Sequence, residues 1–141
     1  MQLIQQDHNS TTCGQCSVAM ISDKTLDEII KIAGDDKPMN LPRFRDIMDV
    51  MRIGYEVKFY DGDAGYYEPY SGRGLLRIAM AEDKFGMGHA VAFEDGLIYD
   101  PMNAKPFSNI VELCMAYLQV TGEVWIVDFV IYTEFKRGDG L

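Results

Sequence analysis

Leu26, Ile29, Ile30 and Ala33 recur at the three- and four-residue spacing of one helix face. Thr25 and Glu28 stand at capping-box spacing ahead of that face and Gly34 follows it, so the helix is bounded at both ends. The same spacing at Thr12 and Gln15 opens an earlier helix that runs to about Ile21. A third is predicted from Asn40, with Pro42 in its first turn, a core stripe of Phe44, Ile47, Met48 and Met51, and a stop at Gly54. The period then changes to two. Tyr55, Val57 and Phe59 alternate with polar residues, as in a strand with one buried face. Residues 61–74 are rich in Gly and Tyr without a period and read as a long surface loop. Leu75 to Ala81 reads as a strand; His89 to Phe93 and Leu97 to Tyr99 read as a hairpin turned by Glu94-Asp95-Gly96. Ser108 is placed to cap a helix carrying Ile110, Val111, Cys114 and Leu118, and a strand from about Val124 to Thr133 precedes a polar tail. Helices followed by antiparallel strands with one helix inserted define an α+β fold, residues 1–141 forming a single domain without repeats.

Composition narrows the function classes. Of 141 residues, 48% are hydrophobic and 25% charged, enough to bury a core under an ordinary soluble surface. The formal net charge of −9 argues against nucleic acid and against anionic membranes as partners, because both would be repelled. Met1-Gln2-Leu3-Ile4 has neither the basic nor the apolar run of a signal peptide, and the apolar stretch Val124–Tyr132 is short and broken by Asp128. Three cysteines are an odd number, which fits a reduced, cytoplasmic setting better than a disulfide scaffold. No obligate partner is evident.

Cys13 is the candidate nucleophile. At a helix N-terminus a thiol faces unpaired backbone N–H groups and the positive end of the helix dipole, which favour the thiolate. Cysteine-dependent acyl transfer also needs a base, an orienter for that base and donors for the oxyanion. His89 opens a buried strand and is the natural base. Asp100 ends the next strand, near the same end of the hairpin, where its carboxylate could accept the Nδ1 proton and hold the ring. Asn103 is the next candidate for that place. Gln6 or Gln5 could supply an amide to the oxyanion beside the Cys13 backbone N–H.

The ordered set Gln5-Gln6-Asp7, Cys13-Gly14-Gln15-Cys16-Ser17-Val18-Ala19-Met20, Gly88-His89-Ala90-Val91 and Ile98-Tyr99-Asp100-Pro101 resembles the papain-like C39 peptidases, and more closely the stand-alone C39-like group. The resemblance spans essentially the whole chain. It implies a papain-like fold, a helical half carrying the nucleophile packed on an antiparallel sheet. It also implies a cysteine peptidase acting on a peptide or protein through a thioester, with Cys13 as nucleophile, His89 as base, Asp100 as orienter and no cofactor. Deamidase and acyltransferase chemistry use the same residues. The chain departs from the pattern at the glutamine. The family's usual position, six residues before the cysteine, holds Asp7, so the choice between Gln5 and Gln6 stays open.

Other readings have less behind them. With Cys16 as nucleophile, Ser17 would replace an aromatic and the thiol would sit a full turn inside the helix, where the dipole effect has faded; Cys16 reads as core. A Cys-x-x-Cys redox protein needs a hydrophobic strand before the motif, and residues 5–12 are polar. Zinc would need ligands beyond Cys114 and the two histidines, and His8 reads as solvent-exposed. Residues 61–72 lack the twelfth-position carboxylate of a calcium loop, since Gly72 stands there. Tyr66, Tyr67 and Tyr70 either fold back on the surface or wall a substrate cleft. A catalytically idle papain-like module that holds a peptide is the alternative from a different class.

Overall fold

The computed structural model describes residues 1–7, 10–82 and 88–134; His8 and the polar tail lie outside them. Three helices come first: α1 (Cys13–Ser22), α2 (Leu26–Ala33) and α3 (Leu41–Val50). Strand β1 (Gly54–Phe59), a 3-10 turn (Ala64–Tyr67), β2 (Arg73–Met80), β3 (His89–Glu94) and β4 (Leu97–Tyr99) follow. Helix α4 (Ile110–Thr121) and β5 (Trp125–Glu134) complete the order. The sheet runs β1-β5-β2-β3-β4 with every neighbouring pair antiparallel. Among the described residues this is an α+β fold of four α-helices and a five-stranded antiparallel sheet.

Local chemistry explains most boundaries. Thr25 and Glu28 form a complete capping box at α2, and Gly34 ends that helix in the left-handed conformation. Asn40 caps α3 by accepting the Arg43 N–H, with Pro42 in the first turn. Asp95 and Gly96 both have positive φ, the requirement of a tight two-residue hairpin turn.

Four expectations need correction. Thr12 makes no cap at α1: its hydroxyl is shared with Ser10 and Cys16, while the buried Gln15 amide donates to the carbonyl of Lys37 at 2.8 Å. At α4 the cap is Asn109, not Ser108, because Asn109 stands three residues before the Glu112 N–H it accepts. The buried stripe is Ile110, Leu113 and Cys114, which leaves Val111 exposed. In β1, Tyr55 and Val57 pack inward, but Phe59 at the strand end is exposed and meets Phe129 edge-on.

The fourth concerns residues 61–74. They are not a simple surface loop, nor do the three tyrosines share one fate. Tyr70 is buried with its hydroxyl on the Gly65 carbonyl, Tyr66 bonds the Trp125 carbonyl, and Tyr67 is exposed. The segment plugs a core rather than walling a cleft.

That core is one of two. Helices α1 to α3 cover one sheet face through Val18, Ile21, Ile29, Phe44 and Met48 against Leu75, Ala90, Ala92 and Ile131. Helix α4 and Tyr70 cover the other through Ile110, Leu113 and Cys114 against Leu76, Val91, Phe93 and Val130. Strand alternation assigns side chains to the two faces. Gly74 in β2 sits at a close approach of strands: an added Cβ would collide with the Ile131 carbonyl oxygen and lie 2.7 Å from the Phe93 ring. Backbone cannot yield as a flexible side chain does. Gly74→Ala should therefore destabilise the fold by about 3 kcal/mol, the upper end for overpacking, measured by denaturant unfolding; an unchanged midpoint would refute the packing argument.

Candidate active site

The sheet geometry brings His89 and Asp100 together. In the hairpin Ala92 pairs with Tyr99 and Phe93 with Ile98, so one further step sets Asp100 opposite Val91. His89 is two residues from Val91 on the same face, which makes it the diagonal neighbour of Asp100. Its Nε2 lies 2.6 Å from Asp100 Oδ1. The expectation that Asp100 would take the Nδ1 proton is thus corrected: Nε2 faces the carboxylate, which leaves Nδ1 for the sulfur.

Cys13 comes from the other layer, as the first residue of α1, and its sulfur hydrogen-bonds His89. The Gly14 N–H, in the first turn of α1, reaches the sulfur, and the Ala90 N–H adds a second backbone donor. Burial pushes the Cys13 thiol up, but the imidazole and these donors outweigh it and hold the thiol below its ordinary value. Burial pulls His89 down, yet Asp100 and Cys13 raise it well above the usual imidazole range. Asp100 is 2% exposed. Burial favours its neutral form, but His89, the Met102 N–H and the Tyr117 hydroxyl together keep its pKa below the ordinary carboxylate value. All three shifts favour thiolate, imidazolium and carboxylate in a row. They belong to one coupled set rather than to separate residues.

Cys16 differs in kind. It is fully buried, and burial pushes its thiol up to about 11. Cys114, also buried, is pushed up to about 12.

Gln6 and Gln5 separate cleanly. Gln5 is exposed, whereas the Gln6 backbone N–H donates to the Pro101 carbonyl at 2.9 Å, tying it to the segment that carries Asp100. The Gln6 amide donates to the Ser10 carbonyl at 3.0 Å, and its Oε1 is buried without a partner. The same NH2 group also donates to Ser10 Oγ at 3.4 Å, a long bond and the weaker of the two. Asn103 is not placed as an orienter: its amide donates to the Lys105 carbonyl.

Tyr117 is the residue that sequence reasoning missed. Its hydroxyl donates to Asp100 Oδ2 at 2.7 Å, and its ring lies 5.6 Å from the imidazole and 5.0 Å from Trp125. The available signal was its place seven residues after Ile110, on the buried stripe of α4 with a polar tip. Removing that hydroxyl takes a donor from a buried carboxylate. Tyr117→Phe should cost about 1.5–3 kcal/mol at neutral pH, the range for hydrogen bonds to charged groups. The sign with pH follows from the lowered Asp100 pKa: this stability is present above the unfolded carboxylate pKa and is lost as pH falls through the folded one. Unfolding curves of the two proteins should therefore converge in acid; a pH-independent gap would contradict the assignment.

Among the described residues no cluster of three His, Cys, Asp or Glu forms a metal site, and no helix is long and apolar enough to cross a membrane. No protein-family model and no curated protein matches the chain.

Proposed function

We propose that the chain is a cysteine peptidase or amide hydrolase of papain-like, C39-like type, acting in the cytoplasm on a peptide or protein substrate. The observation that carries this reading is the bonded series Cys13–His89–Asp100, with the thiol shifted down and the imidazole up. The helical layer bearing Cys13 against the sheet bearing His89 and Asp100 supports the papain-like comparison.

In this mechanism the Cys13 thiolate attacks the carbonyl carbon and forms a C–S bond. The oxyanion receives the Cys13 backbone N–H, which as the first helical amide has no carbonyl one turn back, and the Gln6 amide hydrogen that gives up its 3.4 Å bond to Ser10 Oγ. Protonated His89 gives its proton to the departing amine as the C–N bond breaks. Neutral His89 then takes a proton from water, which resolves the thioester and restores the thiolate. Asp100 keeps the Nε2 proton in place, and Tyr117 and Met102 keep Asp100 in place. The same steps with a side-chain amide give a deamidase, and with an amine in place of water an acyltransferase.

The test is the pH dependence of iodoacetamide alkylation, with labelled cysteines mapped by mass spectrometry. Cys13 should label rapidly well below the ordinary thiol pKa of about 8.5, while Cys16 and Cys114 stay unlabelled in the folded protein. Labelling of Cys13 only at ordinary thiol pH would replace this reading with that of an idle module that holds peptides in the cleft.

A further inference from the structure

A cavity of about 290 Å³ lies beside the candidate active site, with Asp100 and Tyr117 among its lining residues. Phe107, Ala116 and Trp125 form its walls, and Met102 and Val120 stand at its rim. Its position follows from the order of the bonded groups. The sulfur is at one end, the imidazole is in the middle, and Asp100 with Tyr117 is at the far end. The cavity therefore lies beyond the imidazole as seen from the nucleophile, on the side of Asp100 and Tyr117.

That direction has a chemical meaning. The acyl half of a substrate becomes bonded to sulfur, whereas the departing amine must lie against the imidazole that protonates it. A chain continuing past His89 toward Asp100 and Tyr117 is the leaving half. We infer that this cavity is a specificity site for an apolar side chain, such as Leu, Met or Phe, on the leaving-group side of the scissile bond. The inference rests on the proposed hydrolase reading and adds to it the substrate class.

The lining decides the chemistry of the occupant. Both Asp100 oxygens are already bonded, to His89 with Met102 and to Tyr117. Thr121 Oγ1 donates to the Tyr117 carbonyl and accepts the Trp125 indole N–H, and the Asn103 amide bonds Lys105. These side-chain groups are committed, and apolar surface dominates what remains. At the mouth Met102 is 51% exposed and Val120 85%, large apolar side chains that an apolar ligand would cover. The volume falls at the lower edge of the range of about 300–1,000 Å³ for small-molecule sites, a fit to one side chain rather than to a cofactor.

Trp125 is the chain's single tryptophan and lines the cavity, so its fluorescence reads occupancy directly. The experiment titrates Cys13→Ala protein, which cannot turn over, with leucyl-glycinamide, glycyl-glycinamide and acetyl-glycyl-leucine. The first should change Trp125 emission saturably, binding about 10- to 200-fold more tightly than the glycyl compound, the discrimination an apolar pocket gives. Ala116→Leu, which fills the cavity, and Val120→Asp, which charges its exposed rim, should each remove that preference. Two variants guard against one failing to fold. With cleavable peptides of the wild type, the same two changes should lower kcat/KM for a leucine after the scissile bond relative to a glycine. No leucyl preference, or a stronger response to acetyl-glycyl-leucine, would overturn the assignment of this cavity to the leaving side. Alkylation of Cys13 at low pH in the wild-type protein used for the cleavage assay separates that result from failure of the hydrolase reading itself.

Discussion

Cys13→Ala should lower hydrolysis of any cleaved peptide or amide by on the order of 10⁴-fold or more, the scale on which covalent catalysis is lost with its nucleophile. Cys16→Ala should leave the rate essentially unchanged. The two cysteines are three residues apart, and their difference is one of environment. Cys13 opens α1, is partly exposed, and meets the imidazole and two backbone donors. Cys16 is fully buried one turn in, meets the Thr12 hydroxyl at 3.9 Å, and has its thiol pushed up to about 11. A thiol with that pKa is protonated at neutral pH and cannot attack. The comparison also discriminates between mechanisms. A dithiol redox reaction uses both sulfurs and would fail in either variant, whereas thioester chemistry fails only in the first. Equal losses of hydrolysis in both variants would overturn the assignment of Cys13 alone as nucleophile, and a disulfide-reducing activity lost in both would favour the Cys-x-x-Cys reading.

What could be read from the chain alone was local. Thr25, Glu28 and Gly34 bound α2 because every partner lies within a few residues. Asp95 and Gly96 turn the hairpin for the same reason, and once that turn is set the strand register puts His89 and Asp100 diagonally on one face. Thr12 and Gln15 show the limit. They have the same spacing as Thr25 and Glu28, yet no box forms, because the Gln15 amide is drawn to the loop at Lys37, more than twenty residues on. Nothing in the Thr-x-x-Gln pattern announces that competition. Tyr117 was hidden for a related reason. Its bond to Asp100 depends on α4 covering the same sheet face that His89 and Asp100 share, a tertiary arrangement that helical period alone does not specify. The ring nitrogen facing Asp100 was likewise decided by packing, with the imidazole set between Tyr117 and Cys13.

His89→Ala should have the other large effect, a loss of about 10²–10⁴-fold in rate, the contribution of a positioned acid–base group. Its alkylation profile carries more information than its rate. With the imidazole gone, the largest remaining influence on Cys13 is burial, which raises the thiol, so the pH of half-maximal labelling should move up. Asp100→Asn provides the graded comparison. Asn can keep its oxygen toward the two donors, His89 Nε2–H and Met102 N–H, and turn its NH2 to Tyr117, whose hydroxyl can rotate to accept. Ring orientation survives, so the rate should fall less than in His89→Ala. The charge does not survive. Without it His89 loses the main partner that raises it, and burial pulls it down, so the alkaline limb of kcat/KM moves to lower pH. A more weakly protonated imidazole in turn supports the thiolate less, so the acid limb moves to higher pH. The bell should narrow from both sides, with its limbs reporting the coupled set rather than single residues. A profile that drops in height at unchanged width would mean that Asp100 only positions the ring. A profile unchanged in both would place the orienter elsewhere.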